Sequence, residues 1–280
     1  MGRLTDSGQV GECFFSPEMT IWRIDREMAL LLGGGRALLM QLAHPKVAAG
    51  VADYSHFRED PLARLYRTMN TMWSIVFDQE SEARASLGRV TDIHRRVQGL
   101  IQAGEPLPPG TPYDALDPAL LLWVHATLVD SALLTYDLFV EPLSSEEKVQ
   151  YYDETKKLAY LFGLPKATVP ASLDAFNTYM QHMLTGRTIC VGATARSLAQ
   201  EILHPRPWLL KIGGPLFSLI TVGLLPAPLR EGYSLRWDDR KERLFRIVAK
   251  SIRRFLPLVP RALRIVPHAR AAEKRLILLP

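Results

Sequence analysis

Apolar residues recur every three or four positions through most of the chain, which is the spacing of amphipathic helices. The clearest case is a helix predicted over residues 80–102, in which the periodic positions are Leu87, Val90, Ile93, Val97 and Leu100. We find no segment with the alternation of a strand and no repeat of fixed period. The pattern therefore predicts an all-α protein, built as a single large helical domain.

Local start and stop signals predict where the helices lie. A polar cap followed by proline occurs three times and predicts three helix starts, at Ser16-Pro17, Asp60-Pro61 and Asp117-Pro118. The first of these helices is predicted to reach Leu32 and to stop at Gly33–Gly35, with a short helix over 36–43 and, after Pro45, a turn or two over 46–51.

The later helices have their own signals. Ser144 and Glu147 form a capping box before a helix that closes at Gly163, Ser172 caps another helix that reaches Leu184, and a further helix is predicted over 193–203. The longest non-helical stretch is 104–112, with four prolines and two glycines.

The helix predicted from Ala119 to Val140 is the most apolar in the chain. A helix that is apolar on nearly all sides is buried on nearly all sides, so we expect it at the centre of the fold. The apolar stretch from Trp208 to Pro226 is interrupted by Lys211, Pro215 and glycines, and a membrane span needs about 20 clean apolar residues. We do not expect this stretch to cross a membrane.

Composition and charge narrow the class of protein. The chain has 280 residues, of which 48% are hydrophobic and 22% are charged, so it can bury a large core. Its two cysteines are far apart, and the polar stretch 1–16 lacks the form of a secretory signal. We therefore predict a cytoplasmic location, without a disulfide framework or a cysteine zinc site.

The net charge of +5 is concentrated after residue 239, and no basic patch interleaves with aromatic residues, so we expect no nucleic-acid partner. The predicted divisions are an N-terminal extension (1–16), the main helical domain (17–240) and a basic amphipathic segment (241–280). Two interpretations of that segment stay open: a helix lying on an anionic membrane surface, and a packed helix with a solvated basic face.

His125 is the histidine with the most unusual surroundings. It lies in the middle of the most apolar helix, and its neighbours on the same face are Leu121, Leu122, Leu128 and Val129. An unpaired buried polar group costs about 1–3 kcal/mol, so this imidazole needs a partner. Position alone leaves two roles open: a core histidine bonded to a carbonyl or to Asp130, and an axial ligand to iron.

Two further histidines are candidates, each with a structural alternative. His44 precedes Pro45 at a helix end, where it would interact with the last carbonyls. His94 follows Ile93 and would be half-buried on an amphipathic face. Only one Glu-x-x-His sequence is present, at Glu201–His204, which does not suffice for a di-iron bundle, and the nucleotide, hydrolase and zincin signatures are absent.

Several motifs, in order, resemble the bacterial branch of the MpaB oxygenase family, over roughly residues 20–240. They are GRALLMQLAHPKVAAGV at 35–51, Ser55-His56-Phe57, Asp60-Pro61, HRRVQG at 94–99, Asp117-Pro118, LLWVHATLVDS at 121–131, Leu225-Pro226 and Leu229-Arg230-Glu231. The family includes the latex-clearing proteins, which are all-α with a globin-like core, bind haem b through a histidine and cleave polyisoprene with dioxygen. The resemblance implies haem b in this chain, a globin-like haem-binding core and iron held by His125.

The remaining site residues are predicted around that ligand. Leu121, Leu122 and Val129 are predicted to shield the haem, and His44, His94 and Lys46 to line the reactive pocket, where the histidines would hydrogen-bond dioxygen or hold a water. Arg36, Arg64 and Arg67 are predicted to pair with the haem propionates.

The function that follows is a haem-dependent oxygenase acting with dioxygen on a small apolar, unsaturated substrate such as a lipid or isoprenoid. The alternative is a helical protein that binds haem or an apolar ligand without catalysis.

Overall fold

The computed structural model describes residues 13–54, 61–204 and 210–277, and of residues 61–67 and 210–212 it describes the backbone alone. Nearly all of the described elements are helices, so the all-α prediction is confirmed. The helices are α1 Thr20–Asp25, α2 Gly34–Leu42, α3 Pro45–Tyr54, α4 Pro61–Phe77, α5 Glu80–His94, α6 Pro118–Phe139, α7 Ser145–Leu161, α8 Leu173–Thr185, α9 Ala193–Leu203, α10 Leu210–Leu224, α11 Ala227–Gly232, α12 Asp239–Phe255, α13 Arg261–Arg264 and α14 Pro267–Ile277. Two short 3₁₀ helices, Met28–Gly33 and Leu256–Leu258, and two strands, β1 Gln98–Leu100 and β2 Pro112–Asp114, complete them.

Helix α6 is the central element, as its apolar sequence predicts. Asp117 caps it by accepting a hydrogen bond from the Ala119 backbone nitrogen, and α2, α7, α12 and the first 3₁₀ helix pack around it. The indole of Trp123, which is fully buried, donates to the carbonyl of Met40 on α2 at 3.1 Å. Trp123 therefore fixes α6 against the helix that leads to His44.

Length and composition alone would also allow α6 to cross a membrane. It has 22 residues, and its most apolar stretch of 18 residues has a mean hydropathy of 1.4 and is 56% buried inside the fold. It is the single described helix that meets this test, which the core helix of a globular protein also passes.

The first helix is shorter than the sequence predicts. It starts at Thr20 rather than after Ser16, because the carboxylate of Glu154 on α7 accepts hydrogen bonds from the backbone nitrogens of Thr20 and Ile21 at 3.2 and 2.6 Å. It ends at Asp25 rather than at Leu32. Two residues later, Glu27 is 2% exposed and forms a bidentate ion pair with Arg264, near the other end of the chain.

Gly33–Gly35 does not end the first α-helix as predicted, because Gly33 ends the first 3₁₀ helix and Gly34 begins α2 directly after it. Two of the three glycines allow close packing instead. A Cβ at Gly33 would overlap Thr135 Oγ1 on α6, and a Cβ at Gly35 would overlap Thr221 Oγ1 on α10 and lie 2.9 Å from the Phe217 ring.

The prediction that the chain contains no strand is wrong, and so is the helix end at Gln102. Helix α5 ends at His94, and the chain then forms the antiparallel pair β1 and β2, with Gly99 opposite Tyr113. Only glycine fits at that point, since a Cβ on Gly99 would lie 2.5 Å from the Tyr113 hydroxyl. The hairpin packs against α3.

Other predicted boundaries are confirmed. The capping box of Ser144 and Glu147 is formed, Ser172 accepts a hydrogen bond from the backbone nitrogen of Ala175, and α9 spans 193–203 as predicted. After residue 240 the chain stays in contact with the rest of the fold, because α12 packs on α6 and α10 and α14 packs on α4.

Candidate functional site

The imidazole of His125 lies in the third turn of α6 and has an unused ring nitrogen. Its Nε2 atom is buried and has no hydrogen-bond partner among the described residues. Burial lowers the pKa of His125 to about 4, because a charged imidazolium is poorly solvated there. The ring is therefore neutral at pH 7, with an unshared electron pair available to a ligand.

One face of α6 around His125 is only half-buried, although the rest of this part of the helix is packed into the core. Residues three, four or seven apart share a helix face, and this face consists of Leu121, Val124, His125, Leu128 and Ala132. We call these five residues the α6 stripe. Of its apolar members, Leu121 and Ala132 pack against the buried clusters, whereas Val124 and Leu128 contact none of the clusters formed by described residues. The α6 stripe is thus an apolar wall with one neutral imidazole in it.

An open cleft of about 520 Å³ lies at the N-terminal end of α6. Its lining residues come from α3, the hairpin and the cap of α6, and they are Lys46, Gln98, Gly99, Leu100, Pro112, Tyr113, Asp114 and Asp117. Asp117 precedes Leu121 by one turn, so the cleft and the α6 stripe share a helix face, with Asp117 and His125 about 12 Å apart along the axis.

His44 lies beside this cleft, at the junction of α2 and α3. It is 7% exposed, and its Nδ1 accepts a hydrogen bond from the backbone nitrogen of Lys46 at 3.3 Å. Burial, and after it the charge of Lys46, lowers the pKa of His44 to about 4, although Asp117 opposes the shift. His44 is therefore a second neutral imidazole.

His94 and Lys46 are placed differently from each other. Lys46 lines the cleft, and its role in a reactive pocket stays a prediction. His94 is the last residue of α5 and is half-buried, and burial lowers its pKa, but it is not among the lining residues of the cleft. Lys46 thus lines the cleft, whereas His44 adjoins it only through its bond to the Lys46 backbone nitrogen, and neither His44 nor His94 is a lining residue.

Arg36 has bonds that the sequence did not reveal. Its guanidinium donates to the carbonyl of Leu224 at 2.9 Å, to the Ser131 hydroxyl at 2.6 Å and to the Asp130 carboxylate. The residue is 4% exposed. These three acceptors hold α2, α6 and α10 together, so the observed contacts of Arg36 are structural, and its pairing with a propionate stays a prediction.

The other residues predicted to bind the cofactor lie partly outside the described side chains and partly on or beside the α6 stripe. The side chains of Arg64 and Arg67 lie outside the described residues, and so does all of His56. Leu121 is part of the α6 stripe, whereas Leu122 and Val129 are 6% and 3% exposed and belong to buried clusters.

Val124 and the cleft were missed by the sequence interpretation, whereas Leu128 was named there as a neighbour of His125. The helical spacing of 121, 124, 125 and 128 was a signal that could have indicated Val124. No local signal indicates the cleft, because the hairpin that forms half of it was predicted as a helix and a loop. Within the described ranges, no three His, Cys, Asp or Glu side chains converge in a group that could hold a metal ion.

The fold and the site together define an all-α protein whose central helix presents a ligand-competent imidazole on an apolar wall. Residues 22–254 match the family model described as ER-bound oxygenase mpaB/B'/Rubber oxygenase, catalytic domain, and the chain belongs to this family. It is accordingly an enzyme, an oxidoreductase of the oxygenase type.

Two curated proteins, one from Mycobacterium bovis and one from Mycobacterium tuberculosis, are similar to this chain, and both are titled as uncharacterized. Each is 26% identical over 236 residues, which are 82% of this chain and 88% of the relative. No solved structure matches the chain.

Proposed function

We propose that this oxygenase binds haem b, with His125 as the axial iron ligand, and acts with dioxygen on an apolar unsaturated substrate of the lipid or isoprenoid kind. The observation that supports the proposal most directly is the buried, unpartnered Nε2 of His125 in the middle of the α6 stripe. A neutral imidazole nitrogen is the usual protein donor to haem iron.

The residues present fit a haem. The macrocycle is flat and apolar, and its iron needs only one or two donors from the protein. The α6 stripe supplies an apolar wall through Leu121, Val124 and Leu128, and His125 supplies the donor. The orphaned nitrogen costs free energy unless something binds it, and an iron at Nε2 would recover that cost. When bound, the haem supplies the oxygen chemistry, which is the chemistry of the cofactor itself.

The chain's own residues have the tasks of binding, orientation and water exclusion. The low pKa of His125 keeps the imidazole unprotonated near neutral pH, so no proton competes with the metal. His44 is neutral for the same reason, and its Nδ1 is occupied by the backbone nitrogen of Lys46. The remaining ring nitrogen of His44 is the group that we assign to hold a water or hydrogen-bond dioxygen at the cleft.

The substrate class rests on the family description and on the apolar character of the α6 stripe. Rubber, which the description names, is an unsaturated hydrocarbon polymer. The apolar side chains of the α6 stripe offer no charged partner that would favour a polar substrate.

The test is the visible absorption spectrum of the full chain produced with added haem precursor, together with that of His125→Gly. We expect a Soret band in the parent and its loss in the variant, followed by its recovery when free imidazole is added to His125→Gly and occupies the space left by the ring. The control is His182→Ala, which removes an exposed histidine on α8 and should leave the spectrum unchanged. A parent without a Soret band after haem addition would refute the haem proposal, and an unchanged His125→Gly spectrum would refute the ligand.

A second measurement examines the same nitrogen without haem or activity. In the haem-free chain, His125→Leu replaces a buried unpaired polar atom by an apolar group. We therefore expect the free energy of unfolding, measured with urea, to be about 1 kcal/mol higher than in the parent. A loss of stability by a similar amount would mean that Nε2 has a partner inside the protein.

Oxygen uptake separates catalysis from mere binding. Haem-loaded protein supplied with squalene or linoleic acid should consume dioxygen, and His125→Gly should not. A haem-loaded protein that consumes none with either unsaturated probe would be a haem-binding protein without oxygenase activity on this substrate class.

A further inference from the structure

The outer side of α12 and the turns that follow it expose large apolar side chains. Leu244 and Ile247 on α12 are 49% and 60% exposed, and Phe255, Leu258 and Leu263 are 60%, 76% and 70% exposed. Scattered single exposed leucines are ordinary, but five within twenty residues of one segment are not. We call these five residues the outer apolar set.

Basic side chains lie between the members of the outer apolar set. From Arg243 to Ala272 the chain contains eight arginines and lysines and no aspartate or glutamate. Arg243, Lys250 and Arg254 are exposed and form no ion pair among the described residues. These three charges are on the same side of α12 as Ile247, because they lie four residues before it, three after it and seven after it.

The opposite side of α12 packs against the rest of the fold, and this packing fixes which residues of the helix face outward. Phe245 and Ala249 are buried against Phe139 of α6 and against α10. Arg253 donates to the backbone carbonyls of Asp137 and Leu138, the latter at 3.0 Å. The packing of the helix therefore holds the unpaired basic groups, and with them Leu244 and Ile247, on its outward side.

We propose that this surface binds a membrane whose lipids are anionic. Cationic side chains between aliphatic ones suit a lipid interface, where arginine and lysine reach the phosphates while their stems and the apolar side chains lie at the acyl boundary. Leu258, the most exposed member of the outer apolar set, is the last residue of the second 3₁₀ helix and follows the unpaired Arg254 by four positions along the chain. The complementary partner is a surface dense in negative charge and apolar beneath it.

A lipid surface agrees with these residues better than a protein partner does. A protein interface of ordinary kind is depleted in lysine at its centre and pairs its arginines with discrete carboxylates. Here the basic residues are spread around and between the apolar ones, as in helices that lie in a membrane interface.

The experiment measures sedimentation of the full chain with vesicles of phosphatidylcholine alone and of phosphatidylcholine with about 30% phosphatidylserine. We expect binding to the second kind only, weakened when the salt concentration is raised from about 0.1 M to about 0.5 M. Haem content does not enter this assay, so its result is independent of the proposed function.

Two variants test the two halves of the surface. Arg243→Gln, Lys250→Gln and Arg254→Gln together should weaken binding by roughly a hundredfold, about fivefold for each charge. Leu258→Ser with Phe255→Ser should weaken binding by about tenfold while leaving the salt dependence in place. All five side chains are exposed, and unchanged circular dichroism would confirm that both variants fold.

The matched control removes three exposed positive charges elsewhere. It combines Arg96→Gln, Lys166→Gln and Arg187→Gln, which lie outside the C-terminal segment. We expect this variant to bind within a few-fold of the parent. If both triple variants lost the same amount of vesicle binding, binding would depend on the net charge alone and the proposed surface would be refuted.

Other results would also overturn it. Equal binding to neutral and anionic vesicles would refute the role of the basic residues, and a lack of binding to either kind of vesicle would refute membrane binding altogether. If size-exclusion chromatography showed a dimer of the parent that Leu258→Ser with Phe255→Ser made monomeric, the occupant would be a second copy of this chain instead of lipid.

Discussion

Burial sets the chemistry of individual side chains in this protein more than charge pairing does. His125 and His44 both have a pKa of about 4, and in each case desolvation is the largest cause. Asp25 shows the opposite sign, because burial raises the pKa of its carboxyl to about 7 despite a hydrogen bond from the Tyr151 hydroxyl at 2.9 Å. The candidate site thus consists of neutral imidazoles at neutral pH, which suits metal and oxygen binding.

Arg36 gives a prediction that separates a structural from a cofactor role. Arg36→Met should destabilise the haem-free chain by about 3 kcal/mol, because it leaves Asp130 and the Leu224 carbonyl without their partner. Urea unfolding measures this loss. Arg36→Lys should recover only a small part of it, since an ammonium cannot reach three acceptors in one plane.

The contrary outcome is equally clear. If Arg36→Met kept full stability and only weakened haem binding, the guanidinium would be a propionate partner as the sequence suggested. Arg95→Met, at an exposed arginine paired with Asp92, is the control and should leave unfolding nearly unchanged.

Single residues differ in how well the sequence predicts them. The apolar surroundings of His125 were predicted, because local sequence shows them directly. The bonds of Arg36 were not, because Asp130, Ser131 and Leu224 lie 94, 95 and 188 positions away. No pattern near Arg36 indicates which of several arginines a distant carboxylate will bind.

Helix packing in the core depends on backbone approach at two glycines. Gly33 lies against Thr135 of α6 and Gly35 against Thr221 of α10, and both threonine hydroxyls are buried without a hydrogen-bond partner among the described residues. The close contact places α2 between α6 and α10, and α2 in turn leads to His44. The position of His44 therefore depends on this packing.

A double-mutant cycle tests that contact. Gly33→Ala should destabilise the chain by about 2 kcal/mol, because its Cβ would overlap Thr135 Oγ1. Thr135→Ala removes the overlapping atom and, having lost no hydrogen bond, should cost less than about 1 kcal/mol. The pair together should be more stable than Gly33→Ala alone. Additive losses in thermal unfolding would show that the two residues do not meet.

Helix boundaries follow the same division between local and distant causes. The caps at Asp117, Ser144 and Ser172 were predicted, since a cap and its helix are adjacent in sequence. The start of α1 was not predicted, because its cap is Glu154, 133 positions away from Ile21. The end of α5 was not predicted either, because Gln98–Leu100 finds its strand partner only after a proline-rich loop.

The C-terminal segment of the described chain forms hydrogen bonds and ion pairs with segments from its first third. The Val266 nitrogen donates to the Arg26 carbonyl at 2.8 Å, Glu27 pairs with Arg264, and His268 on α14 contacts Asp78. Buried ionisable groups in such a fold make its stability depend on pH.

Asp25 and the two neutral histidines should act in opposite directions. In the unfolded chain, His44 and His125 take up a proton below about pH 6.5, whereas in the folded chain they do so only near pH 4. Their contribution to the free energy of unfolding is therefore fully present above pH 6.5 and is lost as the pH falls toward 4. Asp25 binds its proton more tightly when folded, so its contribution is present at low pH and is lost as the pH rises from about 4 through 7.

Asp25→Asn isolates the second effect. The amide oxygen still accepts from Tyr151, but no charge needs to be buried, so the variant should be about 4 kcal/mol more stable than the parent at pH 8 and equal to it near pH 4. Urea unfolding of the haem-free chain at both pH values measures this. Equal differences at the two pH values would show that the Asp25 pKa is not raised, and exposed Asp92→Asn serves as the reference.

The chain's own pattern was sufficient for the fold class, for most helices after residue 103 and for the central position of the helix that carries His125. These features follow from interactions between residues within a few turns of one another, which are visible along the chain. The α6 stripe, the cleft, the acceptors of Arg36 and the anchoring of α12 required the folded chain. Each depends on which distant segments meet, and periodicity is the same whether a side chain faces a neighbouring helix or an open space.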